Sequence, residues 1–158
     1  MAATFFTACA QTGKMNRTKT RAHGKMPAVT SATMQRGACF GRCPEYKLTI
    51  KSDGTVIYQG ARNAPSLGTY QKNIGAEEAT KVLNEFSQYR VDTLQDTYRQ
   101  TISDVPGLGY TFVINGREKS VGNANFGPTF LLSMAELMDN YGKVDANWKK
   151  IADVKAED

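Results

Sequence analysis

The sequence predicts an α+β fold: an antiparallel sheet built from two hairpin-plus-helix halves, with both helices on one face and a short C-terminal helix. Three observations carry this. Tyr46, Leu48 and Ile50 alternate with Lys47, Thr49 and Lys51 and run into Ser52-Asp53-Gly54, where Gly54 can take the positive φ of a short hairpin loop. Tyr110, Phe112 and Ile114 alternate in the same way and run into Asn115-Gly116, the strongest short hairpin signal. Each hairpin is followed by a stretch whose apolar residues recur at helical spacing.

In chain order, alternating texture begins at Thr33, and Thr55 to Gln59 returns from the first turn with Val56 and Tyr58 facing the same way as Tyr46 and Ile50. A further strand spans Gly68 to Ile74, and a helix begins near Gly75. Its apolar stripe is Ala79, Val82, Leu83 and Phe86, and Glu77 and Glu78 in its first turn suit the positive end of the helix dipole. Residues 91–109 read as a loop anchored by Leu94, Tyr98 and Val105. In the second half Arg117 to Val121 returns, Pro128 opens a helix, and Leu131, Met134, Ala135, Met138 and Tyr141 form its buried face before Gly142 stops it. Trp148 and Ile151, three apart, suggest the terminal helix. The stripes and strand faces together form one core, not a cofactor box, and no cofactor is called for.

Length and composition bound the function. The 158 residues, 41% hydrophobic and 22% charged, suit one folded domain. The chain divides into a signal-like segment at 1–8, a flexible basic tether at 9–31 and a single α+β domain at 32–158. No apolar run reaches the roughly 20 residues that cross a bilayer. The one histidine, His23, lies in the tether, which argues against Ser-His-Asp and Cys-His catalysis and against ordinary histidine-built metal sites. The net charge of +5 belongs to Lys14, Arg17, Lys19, Arg21 and Lys25, leaving 15 basic against 15 acidic residues beyond them. A neutral body offers no basic face for a phosphate backbone, so nucleic acid is not an expected partner.

Residues 1–9 are short and apolar and end in Phe6-Thr7-Ala8 before Cys9, which resembles the lipobox of bacterial lipoproteins, although no basic segment precedes it. In that reading Cys9 is the lipidated first residue and the partner is a membrane, reached through the lipid. The location is the bacterial cell envelope, facing the periplasm or exterior. Three cysteines leave an odd one in an exported chain. Lipidation of Cys9 accounts for it and leaves Cys39 and Cys43 to pair; in a reducing cytosol the same two are free thiols or metal ligands.

The most specific stretch is Arg36-Gly37-Ala38-Cys39-Phe40-Gly41-Arg42-Cys43-Pro44-Glu45-Tyr46. With the Asp53-Gly54 hairpin, the helix near 76–89 and Ser103-Asp104-Val105-Pro106, it resembles an uncharacterised bacterial domain family marked by C-F-G-x-C-P-x-Y and frequent in predicted envelope lipoproteins. The similarity covers about residues 33–142. It implies a fold and an address but no reaction; Cys39, Cys43, Pro44 and Tyr46 are carried over as motif positions, with Phe40 and Gly41 between the cysteines. A C-x-x-x-C segment closes a disulfide only if its Cα atoms come within about 7 Å, and Gly41 makes that bend plausible.

The leading expectation is a non-enzymatic envelope lipoprotein whose small domain binds a protein or an envelope component, with Cys39–Cys43 as a structural clip. The alternative is a thiol-disulfide redox or metal-handling protein centred on the same two cysteines, since the neighbouring Arg42 can lower a thiol pKa. Weaker candidates are a soft copper site from Met15, His23, Met26 and Met34, paired carboxylates among Glu77, Glu78 and Glu85, and an anion site in the Asn123, Asn125, Gly127 loop beside Phe126. The N-terminal reading has a direct check: intact mass of membrane-extracted protein should show an acylated Cys9 at the N-terminus, whereas an unmodified Met1 on soluble protein contradicts it.

Overall fold

The computed structural model describes residues 26–102 and 104–154. Among them are the strands β1 (Val29–Arg36), β2 (Tyr46–Lys51), β3 (Thr55–Gly60), β4 (Gly68–Asn73), β5 (Leu108–Ile114), β6 (Arg117–Val121) and β7 (Lys149–Ala152), and the helices α1 (Ala76–Gln88) and α2 (Phe130–Tyr141). The strands form one antiparallel sheet in the order β6-β5-β1-β2-β3-β4-β7. The fold class is therefore α+β, with the two expected hairpins in the same sheet and β1 inserted between them.

Both hairpin turns follow from their residues. Asn115 and Gly116 have φ of 50° and 78°, as a two-residue turn matched to strand twist requires. Gly54 has φ 90°, and a Cβ there would stand 2.7 Å from the carbonyl carbon of Gly75, so a side chain is excluded twice over.

One face of the sheet is apolar. Met34, Leu48 and Phe112 on it are fully buried, and both helices close over it. Phe86 of α1 packs against Tyr110 and Phe112, at ring separations of 5.9 and 5.1 Å. On the α2 side, the Tyr110 hydroxyl donates to the buried carbonyl of Leu131 at 2.7 Å. The two helices are joined by Tyr141, whose hydroxyl donates to Glu78 Oε1 at 2.5 Å. The opposite face is a row of hydroxyls, with Thr33 and Thr49 2.9 Å apart and Thr111 and Ser120 3.3 Å apart. Arg117, Glu118 and Lys119 on β6 and Lys149 and Lys150 on β7 charge the two edges, which discourages strand addition.

Two expectations are corrected. The tether is expected to run to residue 31, but Val29 to Ser31 already belong to β1. A bulge between Val29 and Ser31 puts Val29 and Ala32, three apart, on the buried side and so breaks the period of two that reveals a strand. The C-terminal helix is instead strand β7, paired with β4. Trp148 packs edge-on to Tyr58 at 6.3 Å and donates its indole N–H to the Lys143 carbonyl, while Ile151 is half exposed, so their spacing of three does not mark a buried helical stripe. A smaller shift is that α2 starts two residues after Pro128, whose carbonyl accepts from Leu131 N–H.

The two faces predict opposite sensitivities. Leu48→Ala should cost about 2–5 kcal/mol in urea unfolding, the range for a buried leucine truncation, and Thr49→Ala less than about 1 kcal/mol. Equal losses at the two neighbouring positions would contradict this assignment of faces.

Candidate functional site

Arg36 ends β1, Tyr46 begins β2, and the register makes them direct cross-strand partners. Residues 37–45 are therefore a connection closed at its base by this pair. Arg36 Nε donates to the Tyr46 hydroxyl at 3.1 Å, and that hydroxyl donates to Asp139 Oδ1 of α2 at 2.5 Å. The guanidinium also donates to Asp139 Oδ2, from Nη2 at 2.5 Å and from Nε at 3.2 Å. Asp139 reaches the site because it lies four residues beyond Ala135, at the margin of the buried stripe of α2.

The electrostatics follow from partial burial. Desolvation, then the bond to Asp139, pushes the Tyr46 phenol far above its ordinary value. Desolvation works against the Arg36 charge, but the Asp139 carboxylate more than offsets it and the guanidinium is held above its ordinary value. The three groups form one half-buried clasp between the loop base and α2.

Both flanks of the loop are pinned by backbone. Gly37 N–H donates to the Gly107 carbonyl at 2.8 Å, and Glu45 N–H to the Arg62 carbonyl at 2.9 Å, with Ala61 N–H returning to Glu45. Arg62 also pairs with the Glu45 carboxylate at 2.6 Å. Within this frame the Cys39 and Cys43 sulfurs stand at bonding distance and their Cα atoms are 5.6 Å apart, inside the limit for a disulfide. Both cysteines are half-buried, whereas Gly41, Arg42 and Pro44 are exposed. Phe40 is 94% exposed, the most exposed large hydrophobic side chain among the described residues.

Beside the loop base is a cleft of about 310 Å³, lined by Pro44, Tyr46, Tyr58, Pro65, Asp139 and Val144 among others. Tyr58 is 3% exposed and stacks on Tyr46 at a ring separation of 5.3 Å. Its hydroxyl is buried and makes no hydrogen bond. The sequence placed Tyr46, Cys39, Cys43 and Pro44 in one stretch, and the structure adds Asp139 and Tyr58 to them. Asp139 carried no sequence signal beyond a lone acid at the edge of an apolar stripe, and Tyr58 read simply as core.

The other candidates do not converge. Cys9, Met15 and His23 lie outside the described residues, Met34 is fully buried in the core, and Met26 is exposed. Glu77 pairs with Lys81, and Glu78 is held below the usual carboxylate range by the Tyr141 hydroxyl. Asn123 and Asn125 donate to the Tyr98 and Pro106 carbonyls, and a Cβ on Gly127 would meet the Tyr98 ring at 2.6 Å, so that loop is packed as structure. Among the described residues no group of three or more His, Cys, Asp or Glu could hold a metal ion.

Two outcomes follow. Asp139→Ala should destabilise the domain by about 2 kcal/mol, the scale of hydrogen bonds to a charged group, and bring the Tyr46 phenol down toward its ordinary value in an ultraviolet titration. An unmoved Tyr46 would contradict the clasp. The fold also keeps protons on Tyr46 and Tyr110, both raised chiefly by burial, and on Tyr141, pushed up to about 12 by burial and its bond to Glu78. The unfolded chain releases these protons above about pH 10, so their contribution is intact below that value and lost as pH rises past it. The urea midpoint should therefore fall between pH 9 and pH 11; a constant midpoint would contradict the assignment.

Neither a curated protein nor a solved structure matches the chain. Residues 30–142, which contain the loop, its clasp and both helices, match the family described as a domain of unknown function (DUF6438), and the chain belongs to that uncharacterised bacterial family.

Proposed function

We propose that this domain is a non-enzymatic binding module whose recognition element is the clipped loop between Arg36 and Tyr46, with Phe40 as its anchor. The observation that carries the reading is the 94% exposure of Phe40 on a segment held by a cysteine pair, two backbone flanks and a salt-bridged base. Leaving a phenylalanine side chain in water forgoes roughly 1.5–3 kcal/mol of burial, and a pre-ordered loop loses little entropy when it docks. Such an aromatic anchor suits an apolar pocket on another protein or envelope component.

The lipid anchor at Cys9 and the envelope location complete the proposal, and they rest on the N-terminal sequence. The topology suits them. β1 runs from Val29, next to the proposed tether, to Arg36 at the loop base, so the two lie at opposite ends of a strand roughly 23 Å long at about 3.3 Å per residue. An anchored domain would carry Phe40 at the end of β1 remote from its tether.

A second reading is thiol-disulfide exchange at Cys39–Cys43, favoured by the half-buried position of the pair in a loop that stands clear of the core. In that case the pair should titrate in glutathione buffers; a pair that stays oxidised across them contradicts exchange and leaves the clip. For the binding reading, a photo-crosslinking phenylalanine analogue at position 40, in cells of the native host, should give a discrete adduct that the same analogue at Glu118 does not. Identical patterns at the two positions would overturn it.

A further inference from the structure

One wall of the cleft beside the loop base is Tyr58, whose hydroxyl is the one buried polar side-chain atom without a hydrogen-bond partner among the described residues. The two tyrosines in ring contact with it are satisfied: Tyr46 donates to Asp139 and Tyr70 to the Leu67 carbonyl. Tyr58 cannot swing away to find water. Its ring is held between Tyr46, stacked at 5.3 Å, and Trp148, edge-on at 6.3 Å, with Tyr70 at 6.4 Å. The Ser66 backbone N–H beside the hydroxyl is itself a donor and cannot accept its proton. A buried hydroxyl left without a partner is costly, and native structures seldom keep one without a role.

The rest of the lining narrows what could complete it. Pro44, Pro65 and Val144 make apolar walls. Of the two charges in the lining, Asp139 is engaged by Arg36 and Tyr46, whereas Lys143 donates to the neutral Asn140 side chain at 2.9 Å and keeps its charge. A cationic ligand would have no free counter-charge there. The volume of about 310 Å³ lies at the small end of ligand pockets.

We propose that this cleft binds a carbonyl-bearing ligand without positive charge and with a compact apolar body, the chemistry of a prolyl peptide, whose carbonyl oxygen accepts the hydrogen bond that Tyr58 leaves unused. Proline rings pack against tyrosine and proline walls without an ordering penalty, and their amide carbonyls are strong acceptors. The hydroxyl has no solvent surface, so the carbonyl reaches it by displacing the Pro65–Ser66 segment beside it. This site is separate from the Phe40 anchor and does not depend on it.

Trp148, the only tryptophan in the chain and in ring contact with Tyr58, reports occupancy by its fluorescence. Acetyl-triproline amide and N-acetylpyrrolidine are titrated separately into the whole protein, with acetyl-trialanine amide as control. The expected result is a saturable change with a proline probe and none with the control. Tyr58→Phe should weaken binding by about tenfold, the scale of one lost hydrogen bond, without lowering the melting temperature. Saturation with both proline probes identifies the ring and carbonyl as the recognised chemistry, and saturation with the peptide alone identifies an extended peptide as its source. Amide chemical-shift mapping on the wild type should place the changes at Ser66, Gly142 and Val144. No saturation, affinity unchanged in Tyr58→Phe, or shifts confined to other surfaces would each overturn the proposal.

Discussion

The contact of Arg36 and Tyr46 with Asp139 is the constraint on which the rest of the site depends. Each partner comes from a different element: the end of β1, the start of its neighbour β2, and the last turn of α2. None of the three is well placed alone, since a half-buried guanidinium, phenol or carboxylate without its partners carries a desolvation cost it does not recover. Together they convert the junction between β1 and β2 from an ordinary nine-residue connection into a loop with a fixed base.

Two consequences follow from that base. Gly37 and Glu45 are held against Gly107 and Arg62, so the freedom left to the connection lies between them, where the cysteine pair removes most of it. On the chain-entropy relation a five-residue loop is worth about 2 kcal/mol, a small part of a domain's stability. The cysteine pair therefore matters more for the shape of the loop than for whether the domain folds. The same base brings Pro44 and Tyr46 to the wall of the cleft, so the loop and the cleft share a frame while facing different surroundings.

How much of this the sequence shows depends on the range of the interaction. The hairpins are legible because alternation and turn chemistry are local: Asn115-Gly116 and Asp53-Gly54 announce themselves within a few residues. The Cys39 to Tyr46 stretch is legible as a motif for the same reason. β1 is not, because its bulge disturbs the alternation and its outward residues, Thr30, Ser31, Thr33 and Gln35, look like those of a polar linker. Trp148 misleads in the opposite direction, since its partners, Tyr58 and the Lys143 carbonyl, are set by tertiary packing. Asp139 and the unpartnered Tyr58 hydroxyl depend on segments that meet only in the folded chain: the motif, the β3–β4 loop and the end of α2. Nothing in their local sequence distinguishes them from a surface acid and a core aromatic.

The central claim is that the clasp, not the cysteine pair, fixes the base of the loop. Amide hydrogen exchange at Gly37 and Glu45 measures this directly, in the wild type, in Asp139→Ala and in the Cys39→Ser, Cys43→Ser double variant. Both amides should stay protected when the cysteines are replaced and lose protection when Asp139 is removed, with the β3 amides protected throughout. If replacing the cysteines exposes Gly37 and Glu45 while Asp139→Ala leaves them protected, the base of the loop is held by sulfur and the account is wrong.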